Sequence, residues 1–155
     1  MLLSIIIPTR NERDNITLLL QDLQRQLADL AGRYEIIVVD DSSPDGTAAM
    51  VQQWMHHDAA VQLLSRRDER GLSSALAAGF AAAVGDYVLA MDADLQHDAA
   101  TVLKMLAVAQ QLGADLVVAT RYAAGGATVG WSCWRRSVSR LATILARWRL
   151  GGLCS

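Results

Sequence analysis

An α/β fold, with a mostly parallel sheet flanked by helices, is predicted by two observations. Short apolar runs alternate with longer stretches of helical period, which is the sequence form of repeated βα units. Polar residues able to do chemistry gather just after those runs: Asn11 and Glu12, Asp40 and Asp41, Arg66 and Arg67, Asp92 and Asp94, then Arg121. In an open α/β sheet, ligands bind beyond the carboxyl ends of the strands, so five segments would deliver polar groups to one edge.

Strands are expected over residues 3–8, 34–40, 61–65, 86–91 and 115–120. The first lacks the basic lead and the length of a signal peptide, and Pro8 is expected to end its ladder. The first helix is the clearest. Ile16, Leu19, Leu20, Leu23, Leu27 and Leu30 recur at i, i+3, i+4, i+7 spacing with Gln, Asp and Arg between them, a stripe that packs on a sheet. Further helices fit 47–57, 72–84 and 99–112, with Gly32, Gly85 and Gly113 as stops. A glycine-rich piece, 123–130, leads to a last helix over 132–150.

The 155 residues suit one domain, burying roughly two thirds of the surface the unfolded chain exposes. Cys133 and Cys154 are too few for a disulfide framework, and with His56, His57 and His97 they form no zinc pattern. A reducing, cytosolic compartment is expected. No run approaches the roughly 18 apolar residues of a membrane span, because Gly85-Asp86 interrupts the Ala-rich stretch before it. The net charge of −2 hides an asymmetry: residues 121–155 hold six arginines and no acid, leaving −8 on residues 1–120.

Asp92-Ala93-Asp94 follows the fourth strand, where two carboxylates can share one hard cation, Mg²⁺ or Mn²⁺. Such ions keep some waters and fill other positions with phosphate oxygens, which suits a diphosphate leaving group. A solvated acidic turn is the plain alternative. Gln96 can add an oxygen. Asp40-Asp41 ends the second strand and enters Ser42-Ser43-Pro44-Asp45-Gly46-Thr47, a turn and helix start where Asp45 or Thr47 serves as cap. Asp40 is expected to bind a ribose or base, since an acid ending a buried strand needs a partner. In the first loop Asn11 fits a cap and Glu12 either a base or a ribose contact. No Gly-x-Gly-x-x-Gly occurs there, so neither a dinucleotide site nor a P-loop is supported.

Taken in order, Pro8-Thr9-Arg10-Asn11-Glu12, Val39-Asp40-Asp41-Ser42-Ser43-Pro44-Asp45-Gly46-Thr47, Gly71-Leu72, Met91-Asp92-Ala93-Asp94-Leu95-Gln96-His97, Thr120-Arg121-Tyr122, and Gly125-Gly126 leading to Gly130-Trp131 and Arg135 resemble the family 2 glycosyltransferases. More closely they resemble the dolichol- and polyprenol-phosphate mannosyltransferases. The resemblance implies a GT-A-type fold and inverting transfer of a hexose, mannose from GDP-mannose above all, to a polyprenyl or dolichyl monophosphate. It places the nucleotide on Pro8, Glu12 and Asp40, with Asp41 and Asp92 beside it. It places the metal on Asp92, Asp94 and Gln96, and phosphate contacts on Arg121 and Arg135, so that Asp92, Asp94, Arg121 and Arg135 form the catalytic set. Arg10 stands where the family usually has an aromatic residue, Ser73 replaces a common glycine, and Asp98 a common proline. The family also continues past Ser155, so residues 1–155 are expected to be one catalytic domain without its acceptor-side portion.

The helix over 132–150 sets Trp134, Val138, Leu141, Ile144, Leu145 and Trp148 among Arg135, Arg136, Arg140, Arg147 and Arg149. It suits either an anionic membrane surface, giving a protein peripheral on the cytoplasmic face, or packing on the sheet. Three competing functions remain distinguishable. Glucose or another sugar from a UDP-linked donor is one, and a catalytically incomplete nucleotide-binding module is another. A dehalogenase-type phosphatase is disfavoured because its Asp-x-Asp opens the chain. No nucleic-acid partner is implied.

Overall fold

The computed structural model describes residues 2–67, 71–95 and 99–119. Four strands, β1 (Leu3–Thr9), β2 (Tyr34–Asp40), β3 (Val61–Ser65) and β4 (Tyr87–Ala90), alternate with four helices, α1 (Arg13–Gln26), α2 (Thr47–Met55), α3 (Leu72–Ala82) and α4 (Ala100–Leu112). Every pairing is parallel and the order is β3-β2-β1-β4. The expected parallel sheet with flanking helices is therefore present, and the described residues up to Val117 form one compact unit.

β1 and β2 are apolar on both faces because both faces are covered. Leu3, Ile5, Ile7, Ile36 and Val38 pack with Ile16, Leu19, Leu20 and Leu23 of α1, Val51 of α2, and Val102 and Leu106 of α4. Ile6, Ile37 and Val39 face the other way, against Ala75 of α3. α1 ends before its apolar stripe does. Leu27 caps it, fully buried, and a 3-10 turn over Ala28–Leu30 carries the chain to Gly32, whose φ of +73° turns it into β2.

Pro8 lies inside β1, opposite Val39, rather than ending the ladder. The carbonyls of Leu2 and Ile6 accept from Tyr87 and Met91 on the β4 side, so even-numbered positions of β1 address β4. β4 pairs only as far as Ile6, and the N–H that Pro8 lacks would have met no partner. The expected fifth strand is absent among the described residues. Residues 115–119 form no ladder, and Leu116 and Val118 are 80% and 70% exposed. An apolar β-type run becomes a strand only where a neighbouring edge satisfies its backbone, and this stretch does not join β4.

Gly113 ends α4 in the left-handed region, φ +58°, as expected of a C-terminal stop. Gly85 acts differently: α3 already ends at Ala83 in extended backbone. A Cβ at Gly85 would stand 2.7 Å from the Ser4 nitrogen and 2.9 Å from the Leu2 carbonyl oxygen, so the turn into β4 is pressed against β1. A buried polar knot holds it there. Ser4 Oγ accepts from the Gly85 N–H and donates to Glu35 Oε1, which also accepts from the Val84 N–H, while Gln62 Nε2 donates to Glu35 Oε2. Because two of the three obstructing atoms are backbone and the nearest, Ser4 Oγ at 2.6 Å, is tied to Glu35, Gly85→Ala is expected to destabilise the fold by about 1–3 kcal/mol, the usual range for overpacking. Urea unfolding with an unchanged m-value checks this.

Candidate functional site

Thr9, Asp40 and Ser65 lie side by side in register at the carboxyl ends of β1, β2 and β3. The loops leaving these strands therefore start level, with β4 delivering Asp92 on the far side of β1. The direction of strand addition reverses between β1 and β4, the position where open α/β sheets form a ligand crevice. Each loop bordering that edge from β1, β2 and β4 holds one non-glycine residue in the left-handed region: Asn11 at φ +60°, Ser42 at +52° and Leu95 at +58°. Asn visits this region readily, whereas Leu pays about 1–2 kcal/mol. Strain of this kind persists where surrounding structure over-determines the backbone, and it concentrates at functional sites.

The loop after β2 is built by its own acids. Asp40 is buried, accepting at Oδ1 from Thr9 Oγ1 at 3.2 Å and Ser43 Oγ at 2.5 Å, and at Oδ2 from the Ser43 N–H at 2.9 Å. Its neighbour Asp41 is also buried. Arg66 Nε donates to Asp41 Oδ1 at 2.7 Å, and the Gly71 N–H to Oδ2 at 3.0 Å. Arg66 reaches on to Ser74 Oγ at 3.1 Å, so this cluster ties the ends of β2 and β3 to the start of α3. Gly71 has φ +127°, a backbone that only glycine adopts without strain. The Arg66 hydrogen bond lowers the Asp41 pKa below its ordinary value; burial opposes this, and the Gly71 N–H and the charges of Arg66 and Arg10 add to it.

Asp45 and Thr47 join the starts of two helices. Asp45 Oδ1 accepts from the Thr47 N–H and hydroxyl at the start of α2, while Oδ2 accepts from the Arg13 N–H of α1. Thr47 Oγ1 accepts from the Glu12 N–H. Burial pushes the Asp45 pKa up, but these donors outweigh it and the net shift is downward. Gly46, rather than Asp45 or Thr47, holds the N-cap position of α2, which has no side-chain cap; Asp45 instead ties the first turns of α2 and α1 together. Asn11 does not cap α1: Glu12 occupies that position, its carboxylate holding Asn15 Nδ2, while the Asn11 N–H goes to Ser43 Oγ.

Asp92 and Asp94 are exposed after β4, separated by buried Ala93, which packs in the main core. Core anchoring of the middle residue turns both carboxylates outward. Among the described residues no group of three or more His, Cys, Asp or Glu is placed to hold an ion by itself. Two exposed carboxylates, with remaining positions left to water and phosphate, nevertheless fit the habits of Mg²⁺ and Mn²⁺. Pro8 and Glu12 are half-buried near the β1 end. Gln96, Arg121, Arg135 and the helix expected over 132–150 lie outside the described residues.

The role of Arg66 was the least visible in sequence. Its only signal was an acid pair after one strand and an arginine pair after the next, which parallel neighbours bring together. Arg10 likewise crosses to the β2 loop, Nη1 donating to the Asp41 carbonyl at 2.7 Å.

A dolichol-phosphate mannosyltransferase of Pyrococcus furiosus is 39% identical over 147 residues, 95% of this chain and 41% of that protein. One from Saccharomyces cerevisiae is 39% identical over 146 residues, 93% of this chain and 54% of that protein. The chain thus spans about half the length of these curated relatives. Among solved structures, the Pyrobaculum calidifontis mannosyltransferase PcManGT, in complex with GDP-Man and Mn²⁺, aligns with a TM-score of 0.55 at 30% identity. That alignment covers 59% of this chain and 27% of that one. S. aureus TarS 1-349, in complex with UDP-GlcNAc, aligns with a TM-score of 0.58 at 27% identity, over 72% of this chain and 32% of that one. These neighbours have the GT-A fold. With residues 4–149 matching Glycosyl transferase family 2 and the sheet edge built as described, the chain belongs to that family.

Proposed function

We propose that this chain forms the nucleotide-sugar half of an inverting mannosyltransferase, acting on GDP-mannose and a polyprenyl or dolichyl monophosphate. The observation that carries this reading is the exposed pair Asp92 and Asp94 at the strand-order reversal, beside a β2 loop that Asp40 and Asp41 stiffen. The relatives named dolichol-phosphate mannosyltransferase and the neighbour solved with GDP-Man and Mn²⁺ support the choice of donor, metal and acceptor class.

Asp92 and Asp94, with Gln96, would hold Mg²⁺ or Mn²⁺, which supplies charge neutralisation at the diphosphate leaving group. The nucleoside lies along the ends of β1 and β2, near Pro8, Glu12 and Asp40. Asp40 is already committed to Thr9 and Ser43, so it fixes the loop and offers only its remaining lone pairs to a ribose. Asp41 works from behind, because Arg66 and Gly71 occupy both its oxygens. In the reaction an acceptor phosphate oxygen attacks the anomeric carbon from the face opposite the diphosphate. The new C–O bond forms as the bond to the β-phosphate breaks, GDP leaves, and configuration inverts. The acceptor is already an anion near neutral pH, so no side chain has to remove a proton. Arg121 and Arg135 are assigned to phosphate contacts, and the basic stretch 132–150 to an anionic membrane surface on the cytoplasmic side.

Calorimetric titration with GDP-mannose and UDP-glucose, each with and without Mn²⁺, tests the donor. Mannose transfer to a polyprenyl phosphate in vesicles tests the acceptor. Mn²⁺-dependent binding of GDP-mannose with transfer is expected. Preference for UDP-glucose would replace the donor, and donor binding without transfer would leave a nucleotide-binding module.

A further inference from the structure

We propose that Arg10 is a specificity-determining residue that reads the two-acceptor edge of a guanine base. This rests on the donor reading above and deepens it. Arg10 leaves β1 exposed, and its Nη1 is held 2.7 Å from the carbonyl oxygen of Asp41, on the β2 side. The backbone that presents it is fixed as well: Asn11 sits at φ +60° with its N–H on Ser43 Oγ. That anchor points the guanidinium away from β4, where Asp92 and Asp94 stand. β2 and β4 flank β1, about 10 Å apart at the usual strand spacing, which is the scale on which a nucleotide separates its diphosphate from its base. A ligand whose diphosphate lies at Asp92 and Asp94 therefore brings its nucleoside, rather than its phosphates, to Arg10.

The chemistry of the fork then selects the base. With Nη1 anchored, Nη2 and Nε still present N–H groups in a rigid plane, a geometry matched by two adjacent acceptors. Guanine offers N7 and O6 as such a pair. Adenine pairs N7 with an amino donor, and a pyrimidine with the uracil pattern offers a single acceptor on that edge. Arg10 thus favours GDP over both ADP and UDP; a lysine can reach both acceptors as a flexible point charge but lacks the planar fork, so it holds that edge less tightly.

The test is calorimetric titration of the full chain in Mn²⁺ with GDP, UDP and 7-deaza-GDP, which lacks N7, for the natural protein and for Arg10→Ala and Arg10→Lys. The natural protein is expected to bind GDP more tightly than 7-deaza-GDP and than UDP. Both variants should lose GDP affinity, Arg10→Ala by roughly 5- to 150-fold, the range of one bidentate base contact, and Arg10→Lys by less. They should change UDP affinity little, and Arg10→Ala should bind GDP and 7-deaza-GDP alike. If the natural protein prefers GDP but the variants weaken GDP and UDP equally, or neither, the Arg10 assignment falls and the donor reading stands. If the natural protein binds GDP no more tightly than UDP, the donor reading fails and this inference with it.

Discussion

Asp92→Ala is expected to abolish the contribution of Mn²⁺ to donor binding and to lower sugar transfer by roughly 10²–10³-fold, while leaving the fold intact. The size follows from what a divalent cation does at a departing diphosphate. Its stabilisation of developing charge is worth several kcal/mol, and each 1.36 kcal/mol is a factor of ten in rate. The stability side follows from placement. Asp92 is exposed after β4, and surface substitutions away from special features stay within about ±0.5 kcal/mol. Chelation of the metal from the natural protein should reproduce the loss, and chelation should do nothing further to the variant. Equal donor affinity with and without Mn²⁺ in the natural protein would remove the metal from the reading. A variant that loses donor binding together with its thermal transition would show that Asp92 acts through the fold instead.

The elements legible in the sequence are those whose local pattern and tertiary setting agree. β2 and β3 fall on the residues expected, because their apolar runs are bounded by turns on each side and β3, though at the sheet edge, pairs with interior β2 along its whole length. The failures share one cause, partners that lie far along the chain. Residues 115–119 read as a strand on composition, yet no described edge receives them. Pro8 reads as a ladder end, yet it is accommodated because β4 stops two residues short of it. Gly85 reads as a helix stop, yet its requirement comes from the Ser4 and Leu2 backbone, 81 and 83 positions away. The site divides in the same way. Asp92 and Asp94 could be placed because their strand and their chemistry are adjacent in sequence. The distinction between Asp40, committed to its own loop, and Asp41, committed to Arg66 and Gly71, needed the register of β2 with β3.

That commitment makes Asp41 the residue whose loss should cost the fold most. Asp41 and Arg66 are 7% and 6% exposed at the side chain, and Asp41→Asn removes the charge that compensates a buried guanidinium. Breaking such a pair from one side typically costs about 3–5 kcal/mol. Asn retains an acceptor for one of the two donors at most, so Arg66 and Gly71 cannot both be satisfied. Replacing both charges, as Asp41→Asn with Arg66→Met, should recover much of the loss, since the buried guanidinium goes with the carboxylate and the Asn oxygen can still accept from the Gly71 N–H. The pH dependence carries the opposite sign to a histidine switch. The folded-state pKa of Asp41 is lowered, so its contribution is fully present above the unfolded value of about 3.9. It drains away as pH falls through the lower, folded value. Asp45 is shifted the same way and adds to the effect. Urea midpoints should thus be insensitive to this pair between neutral pH and about pH 5, then fall with acidification in the natural protein. In Asp41→Asn the midpoint should be low already at pH 7 and fall less steeply below pH 4, because only Asp45 of the two remains to be protonated. A parallel acid slope in both proteins would mean that the pair contributes no charge-dependent stability, and that Arg66 is held there by packing.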